Sequence, residues 1–272
     1  MKKAFTLAEM MITIGIIGVV SALTIPHLIT NVQKRILTSK LQKSYAMLNQ
    51  GFRRMLAEEN ASGLSQTEGF IGMIQNNRNG DRPWYGQCES YFYDRFDYCS
   101  NFHKNLSKYF KISSLKKYES SDNYYWYYLN GRKDARYSSK AITFIDGTML
   151  LQFSFYNGDP YGATDNTMQG LAGEFYIDTN GTEKPNQYGR DIFSFVLGNN
   201  GIVYPSDSKE NIEYLIDREL SNMGDDMPPE DKQEAKLYLT NEIENGIMNA
   251  CIREKEGLLC AGRVLRMGKM DY

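Results

Sequence analysis

An apolar run near the N-terminus, broken by a single charge, constrains this chain more than any other feature. The run covers residues 5–25, and Glu9 is its only charged residue. As a helix it would be about 30 Å long, which matches the hydrocarbon thickness of a bilayer. A carboxylate inside such a span costs roughly 2.5–3.5 kcal/mol on insertion scales. Glu9 therefore requires a specific role.

Two ordinary interpretations account for the apolar run but not for its charge. A cleaved secretory signal would have Lys2 and Lys3 as its basic start and residues 20–22, Val-Ser-Ala, as its cleavage site. An uncleaved signal anchor would hold the same two lysines in the cytoplasm and export the rest of the chain. Neither interpretation gives Glu9 a function.

The six residues Ala-Phe-Thr-Leu-Ala-Glu at positions 4–9 carry a family resemblance. They resemble the processing site of type IV prepilins and type II secretion pseudopilins. The resemblance implies that a prepilin peptidase cleaves between Ala4 and Phe5 and methylates the new terminus, so that Glu9 becomes the fifth mature residue. Most family members have Gly before the cleaved bond, and Ala4 departs from that form. Pro26 lies where type IV pilins carry a proline that loosens the helix.

The resemblance also implies a role for the lone carboxylate. In a filament, the apolar helices of many subunits pack side by side, and an unpaired charge among them is costly. Glu9 of one subunit is then expected to pair with the Phe5 amine of its neighbour. Because a subunit docked out of step would leave both charges unpaired, the pair would also set the register of assembly.

The function implied by the resemblance is that of a structural subunit, of the minor kind, in a type IV pilus or a type II secretion pseudopilus. Its expected partners are other pilin or pseudopilin subunits in a homo- or hetero-polymer, the prepilin peptidase and an inner-membrane assembly platform. The expected location is the bacterial inner membrane, crossed once, with the N-terminus cytoplasmic and the head periplasmic or extracellular.

Beyond Pro26 the helical pattern resumes and predicts one helix that continues to about residue 60. Apolar residues recur there at steps of three to five, which predicts a stripe that packs against a globular head. The stripe consists of Val32, Ile36, Leu41, Tyr45, Leu48, Phe52 and Met55. The basic residues between them are interpreted as a solvated face. The predicted divisions are a leader (1–4), a transmembrane or filament-core helix (5–29), its amphipathic continuation (30–60) and a head (61–272).

The head has the pattern of an α+β domain. Residues 141–145 and 149–155 flank Asp146-Gly147, a hairpin turn signal, and residues 174–178 and 192–197 are further predicted strands. Two helices are predicted in an elaboration at about residues 206–250. Their bounds are residues 209–222 and 229–248. Combined with the family resemblance, this order implies a pilin-like fold, with the long N-terminal helix packed on an antiparallel sheet.

Some parts of the head have weaker signals. Residues 64–140 have no clear assignment, and the aromatic run at 124–128 is interpreted as a strand with both faces covered, or alternatively as a recognition surface. Beyond Cys251, short apolar runs are expected, with Gly257, Gly262 and Gly268 as breaks between them.

Four cysteines in a head expected to face an oxidising compartment predict disulfides. Short sequence separation favours the pairs Cys88–Cys99 and Cys251–Cys260, and the alternative is four reduced, buried thiols. Zinc is disfavoured because no cysteines form a C-x-x-C pair.

The loop that begins at Asp178 is a candidate calcium site, because Asp178, Asn180 and Asp191 provide the oxygen ligands that calcium prefers. The segment does not follow the EF-hand pattern, and the alternative is an Asn-Gly turn between two strands. No other cofactor is expected.

Charge and motifs disfavour other function classes. The formal charge is −2, or −4 after loss of Lys2 and Lys3, so nucleic acid is not expected as the main partner. The chain lacks recognisable catalytic motifs, and we expect no enzyme. Two alternatives stay open: a tip or minor pilin whose head binds a surface, DNA or a secreted substrate, and a membrane-anchored exported enzyme.

Overall fold

A long helix and a six-stranded sheet form the framework of the protein in the computed structural model. The residues that the structure describes are 6–71, 104–117, 124–134, 140–155, 168–223, 227–252 and 255–272. Cys88 and Cys99 lie outside these ranges, and so does the disulfide predicted between them.

Helix α1 (Leu7–Glu58) contains 52 residues and is about 78 Å long. It continues through Pro26, although proline has no N–H to donate to the preceding turn. The Thr30 hydroxyl donates to the Pro26 carbonyl at 3.0 Å. The single long helix predicted from the sequence is confirmed, with its ends within two residues of the expected positions.

The two halves of α1 have different surroundings. Its buried residues all lie in the C-terminal half, at helical spacing, and they form the face that packs on the head. They are Thr38, Leu41, Ser44, Leu48, Gly51, Phe52 and Met55. The predicted stripe is wrong at its start, because Val32 and Ile36 remain 46% and 50% exposed. Packing against the core of the head begins only at about residue 37, so these two side chains extend the exposed apolar surface instead.

The sheet is an antiparallel meander whose strands lie in the order in which they occur along the chain. The strands are β1 (Ile112–Lys117), β2 (Lys140–Phe144), β3 (Met149–Phe155), β4 (Leu171–Asp178), β5 (Ile192–Gly198) and β6 (Val203–Pro205). The predicted hairpin joins β2 to β3. At its turn Gly147 has φ +85°, a conformation that favours glycine, and the Asp146 carboxylate accepts from the Thr148 N–H at 3.1 Å.

The main core lies where α1 crosses one face of this sheet. Phe52 and Tyr45 contact aromatic residues of the strands, with ring centroids 6.4 Å apart for Phe52–Phe155 and 5.9 Å for Tyr45–Phe195. One polar contact lies within this apolar layer, between the Ser44 and Thr148 hydroxyls at 3.1 Å. A helix layered on an antiparallel sheet is an α+β arrangement, as predicted.

Shorter helices complete the head. Besides a 3-10 turn (Leu64–Gln66), they are α2 (Glu68–Ile71), α3 (Lys209–Asn222), α4 (Pro229–Ala250) and α5 (Ala261–Met267). The two helices predicted from the sequence correspond to α3 and α4.

Helix α5 overturns the expected break at Gly262, which lies inside this helix. The Asp207 carboxylate accepts from the backbone N–H groups of Gly262 and Arg263, at 2.5 and 2.9 Å. These bonds occupy donors of the first helical turn that have no partner within the helix. The predicted Cys251–Cys260 disulfide is present, with 5.1 Å between the Cα atoms, and it joins the end of α4 to the start of α5.

Replacing Gly51 by Ala tests the close packing of α1 on the head. A Cβ atom at this position would lie 2.0 Å from the Phe110 ring, which itself packs against Phe52. We expect a loss of about 1–3 kcal/mol in the free energy of unfolding, in spite of alanine's higher helix propensity. Gly246→Ala is the matched control, because nothing lies within 4 Å of its added Cβ and the helix should gain slightly. Thermal unfolding of both full-length variants in detergent measures the difference, and equal melting temperatures would contradict this packing.

Candidate functional site

The N-terminal half of α1 exposes an apolar surface that no other described segment covers. α1 is the only helix among the described residues that is long and apolar enough to cross a membrane, and its most apolar window is wholly unburied. Every large apolar side chain from Leu7 to Ile29 is at least half exposed. These side chains are Leu7, Met10, Met11, Ile12, Ile14, Ile16, Ile17, Val19, Val20, Leu23, Ile25, Leu28 and Ile29. A contiguous patch of this size marks a surface that contacts lipid or protein.

Glu9 lies in the first turn of this surface and forms a capping box with Thr6. The Glu9 carboxylate accepts from the Thr6 N–H and from its hydroxyl, each at 2.8 Å, while the Thr6 hydroxyl accepts from the Glu9 N–H at 3.3 Å. These bonds satisfy donors that a helix start leaves unpaired. Thr followed three residues later by Glu is a recognisable sequence signal for this cap, and the sequence interpretation of Glu9 missed it.

The head has a second site, a pair of buried carboxylates in the β4–β5 loop. Asp178 ends β4 and Asp191 precedes β5, and both side chains are fully buried. The Thr179 N–H donates to the Asp191 carbonyl at 2.9 Å, which brings the two ends of the loop together. The Asp178 carboxylate accepts from the Tyr124 hydroxyl at 2.7 Å and from the Asn180 N–H at 3.0 Å.

Asp191 holds the other end of the loop through its carboxylate. That group accepts from the backbone N–H groups of Asn186 and Gln187, at 2.8 and 2.6 Å. Burial is the main cause that raises the pKa of both acids, and it raises that of Asp191 to about 6. Repulsion from Asp191 adds to the upward shift in the pKa of Asp178. The pair is therefore more stable with a bound proton or cation than with two bare charges.

The loop has the donor chemistry of a calcium site. The Asn180 amide nitrogen donates to the carbonyls of Glu183 and Lys184, at 3.1 and 3.3 Å. Three buried side-chain oxygens in the loop accept no hydrogen bond from the described residues. They are Thr179 Oγ1, Asn180 Oδ1 and Asn186 Oδ1. Unpartnered buried oxygens are costly, and hard oxygen ligands beside two carboxylates suit calcium.

The donor chemistry of these residues suits calcium, which would be held by Asp178, Asp191 and the amide oxygens of Asn180 and Asn186. A bound ion would supply charge that closes the loop, and nothing in the site suggests a catalytic role for it. No group of three or more His, Cys, Asp or Glu residues that could hold a metal occurs in the described ranges. The sequence identified Asp178, Asn180 and Asp191, but not the oxygens of Thr179 and Asn186, whose burial depends on the folded loop.

The aromatic run covers this acid pair. Tyr124 and Trp126 are buried and Tyr127 is 36% exposed, so the side chains alternate between the interior and the surface. The predicted strand is wrong, because residue 127 makes only isolated bridges to Lys133 and Gln187. The segment instead packs its buried rings against Tyr188, with Trp126 and Tyr188 at 5.7 Å and nearly perpendicular. It forms a second apolar cluster over the Asp178 carboxylate rather than a ladder strand or an exposed aromatic patch.

The predicted site residues thus fall into separate regions. Glu9 and Pro26 lie on α1, and Asp178, Asn180 and Asp191 lie together in the β4–β5 loop. Ala4 and Phe5 lie outside the described residues. Comparison of the chain with protein-family models, curated proteins and solved structures finds no match.

Replacing Asp178 by Asn tests the charge balance of the acid pair. Asn keeps the shape of the side chain, still accepts from the Asn180 N–H and can donate to the Tyr124 oxygen. An acid with a raised pKa binds more protons folded than unfolded, so its stability contribution falls as the pH rises. Without divalent cations, we expect the variant to gain about 1.4 kcal/mol over the wild type for each pH unit above about 4, until the buried acid ionises.

The same variant tests for calcium. Calcium should raise the melting temperature of the wild type, and it should raise that of Asp178→Asn much less. Asp231→Asn is the matched control, because Asp231 is exposed on α4 and should show neither effect. A stability difference that does not change with pH would contradict the raised pKa, and a wild-type melting temperature insensitive to calcium would contradict the metal assignment.

Proposed function

We propose that this protein is a structural subunit, of the minor kind, of a type IV pilus or a type II secretion pseudopilus. The observation that carries the proposal is the division of α1. Its C-terminal half packs into an α+β head, and its N-terminal half is an exposed apolar rod that contains one carboxylate. Such a rod requires a bilayer before assembly and the rods of other subunits afterwards.

The prepilin-like residues 4–9 suggest how the subunit leaves the membrane. A peptidase would cleave between Ala4 and Phe5 and methylate the new terminus, and an assembly platform in the inner membrane would lift the subunit into the growing filament. The N-terminus would start on the cytoplasmic side and the head on the opposite side. The pilin-like identity of the head belongs to this proposal, supported by a long helix layered on an antiparallel meander.

Glu9 then changes partner during assembly. In the isolated subunit its carboxylate accepts from Thr6, which lowers the cost of a charge in an apolar environment. In the filament it would pair with the Phe5 amine of a neighbour, and each charge would offset the desolvation of the other. Thr6 serves as the partner before docking, so the subunit need not carry an unsatisfied carboxylate through the membrane.

The head supports the assignment to a minor subunit. Helices α3 and α4 extend it beyond the sheet, and α4 exposes Leu237 and Tyr238, each at 64%. An enlarged head would be difficult to repeat along the whole length of a filament without clashes between neighbours. A small number of copies at one end avoids that constraint.

Two substitutions separate the docking role of Glu9 from its capping role. Glu9→Gln removes the charge, and glutamine can replace glutamate in a capping box. Thr6→Ala keeps the charge and removes the cap, at a cost of about 1 kcal/mol in helix stability. We expect Glu9→Gln to abolish incorporation into filaments and Thr6→Ala to reduce it only slightly, as measured by the fraction of subunit in sheared or cross-linked filaments.

Membrane fractionation and the mass of the processed chain serve as controls for both variants. Each variant should accumulate in the membrane with the same N-terminus as the wild type. The opposite order, normal incorporation of Glu9→Gln and loss with Thr6→Ala, would show that the cap rather than the charge matters. The docking role of Glu9 would then be wrong.

A further inference from the structure

A groove of about 190 Å³ lies between α1 and the β4–β5 loop. One wall consists of α1 residues between Thr30 and Lys40, and the other of loop residues between Asn180 and Arg190. The first of these residues directly follows Ile29, the last residue of the uninterrupted apolar surface, beyond which Val32 and Ile36 are the large apolar side chains of the helix that stay exposed. The groove therefore begins where α1 would leave a membrane.

The walls of the groove are predominantly basic. They contain one acid, Glu183, and four basic residues. The basic residues are Lys34, Lys40, Lys184 and Arg190. The Lys34 ammonium donates to the Tyr272 carbonyl at 2.6 Å, and the other three join no ion pair among the described residues. Cations gathered from two separate elements and not balanced by acids attract an anion.

Lys43, the next basic residue along α1 after Lys40, differs from the groove cations because it has an acidic partner. It lies beyond the groove and pairs with Asp146 at 3.1 Å, so the head supplies an acid at that position. Inside the groove the head supplies Lys184 and Arg190 instead.

The near end of the groove lies at the depth of the headgroup layer, which adds about 5–7 Å on each side of the hydrocarbon core and so reaches to about Lys34. A hydrocarbon core of about 30 Å takes up roughly 20 helical residues, which places its far edge near residue 29 if it begins near Met10. The Lys34 ammonium donates to the Tyr272 carbonyl at 2.6 Å, and helical side chains lean toward the N-terminus of their helix, which favours an extension of the Lys40 side chain back toward that layer. Phosphate groups of phospholipids lie in this layer.

We propose that this basic groove binds the phosphate-bearing headgroup of an anionic phospholipid. The proposal rests on the membrane insertion of α1 described above. A lipid held between the helix and the β4–β5 loop would fix the tilt and rotation of the head against the bilayer before assembly. The lipid would leave the groove when the subunit is lifted into a filament.

The test uses the full chain in nanodiscs of phosphatidylcholine with trace spin-labelled lipid. The immobilised fraction of labelled phosphatidylglycerol is compared with that of labelled phosphatidylcholine. We expect a preference for phosphatidylglycerol in the wild type that falls roughly tenfold in Lys40→Gln/Lys184→Gln, because each cation near a lipid surface contributes a several-fold preference. The charge-retaining variant Lys40→Arg/Lys184→Arg should keep the preference for phosphatidylglycerol.

Arg53→Gln/Lys209→Gln is the matched control, because it removes two charges from exposed positions outside the groove and should keep the preference. With the chain inserted, equal immobilisation of the two lipids would overturn the groove assignment, and so would a preference that survives Lys40→Gln/Lys184→Gln. Loss of the preference in millimolar inorganic phosphate would show a site for free phosphate instead of lipid. A chain that does not elute with the nanodiscs would contradict the proposed function itself.

Discussion

Packing of the C-terminal half of α1 against the sheet is the contact on which the rest of the structure depends. Leu41, Leu48, Phe52 and Met55 are fully buried there, and they hold the helix rigidly to the head. Gly51 lets the helix approach the Phe110 ring closely. Because the helix is continuous, the same contact sets the direction of its exposed apolar half. The positions of Glu9 and of the basic groove therefore follow from this contact.

The β4–β5 loop carries the buried acid pair of the head and also faces α1. Asp178 and Asp191 close the loop from its two ends, and the aromatic segment that includes Tyr124 covers them. The outer side of the same loop forms one wall of the basic groove. A change in the charge of the acid pair would therefore act on the groove through a short, hydrogen-bonded segment.

Local patterns predicted much of this fold. The Asp146-Gly147 hairpin, helices α3 and α4 and the Cys251–Cys260 pair each have a signal within a few residues. Strand β1 has no such signal, because Ile112–Lys117 is polar at most positions and its register comes from pairing with β2. Contacts between distant segments decide the remaining features. Val32 and Ile36 fit the apolar stripe, but the core of the head does not cover them, and Gly262 is helical because Asp207 caps the helix around it.

The candidate site residues likewise fall into those that have a local sequence signal and those that depend on contacts between distant segments. The sequence identified Glu9, Asp178, Asn180 and Asp191 by residue type and spacing. It could not show that Thr179 and Asn186 turn unpartnered oxygens inward, or that cations of α1 and the loop share a groove.

The central claim is that the chain is processed as a prepilin, and mass spectrometry of the mature protein from its native membrane tests it most directly. The account predicts a chain that begins at N-methylated Phe5. An intact Met1, or a terminus created by cleavage after Ala22, would contradict it.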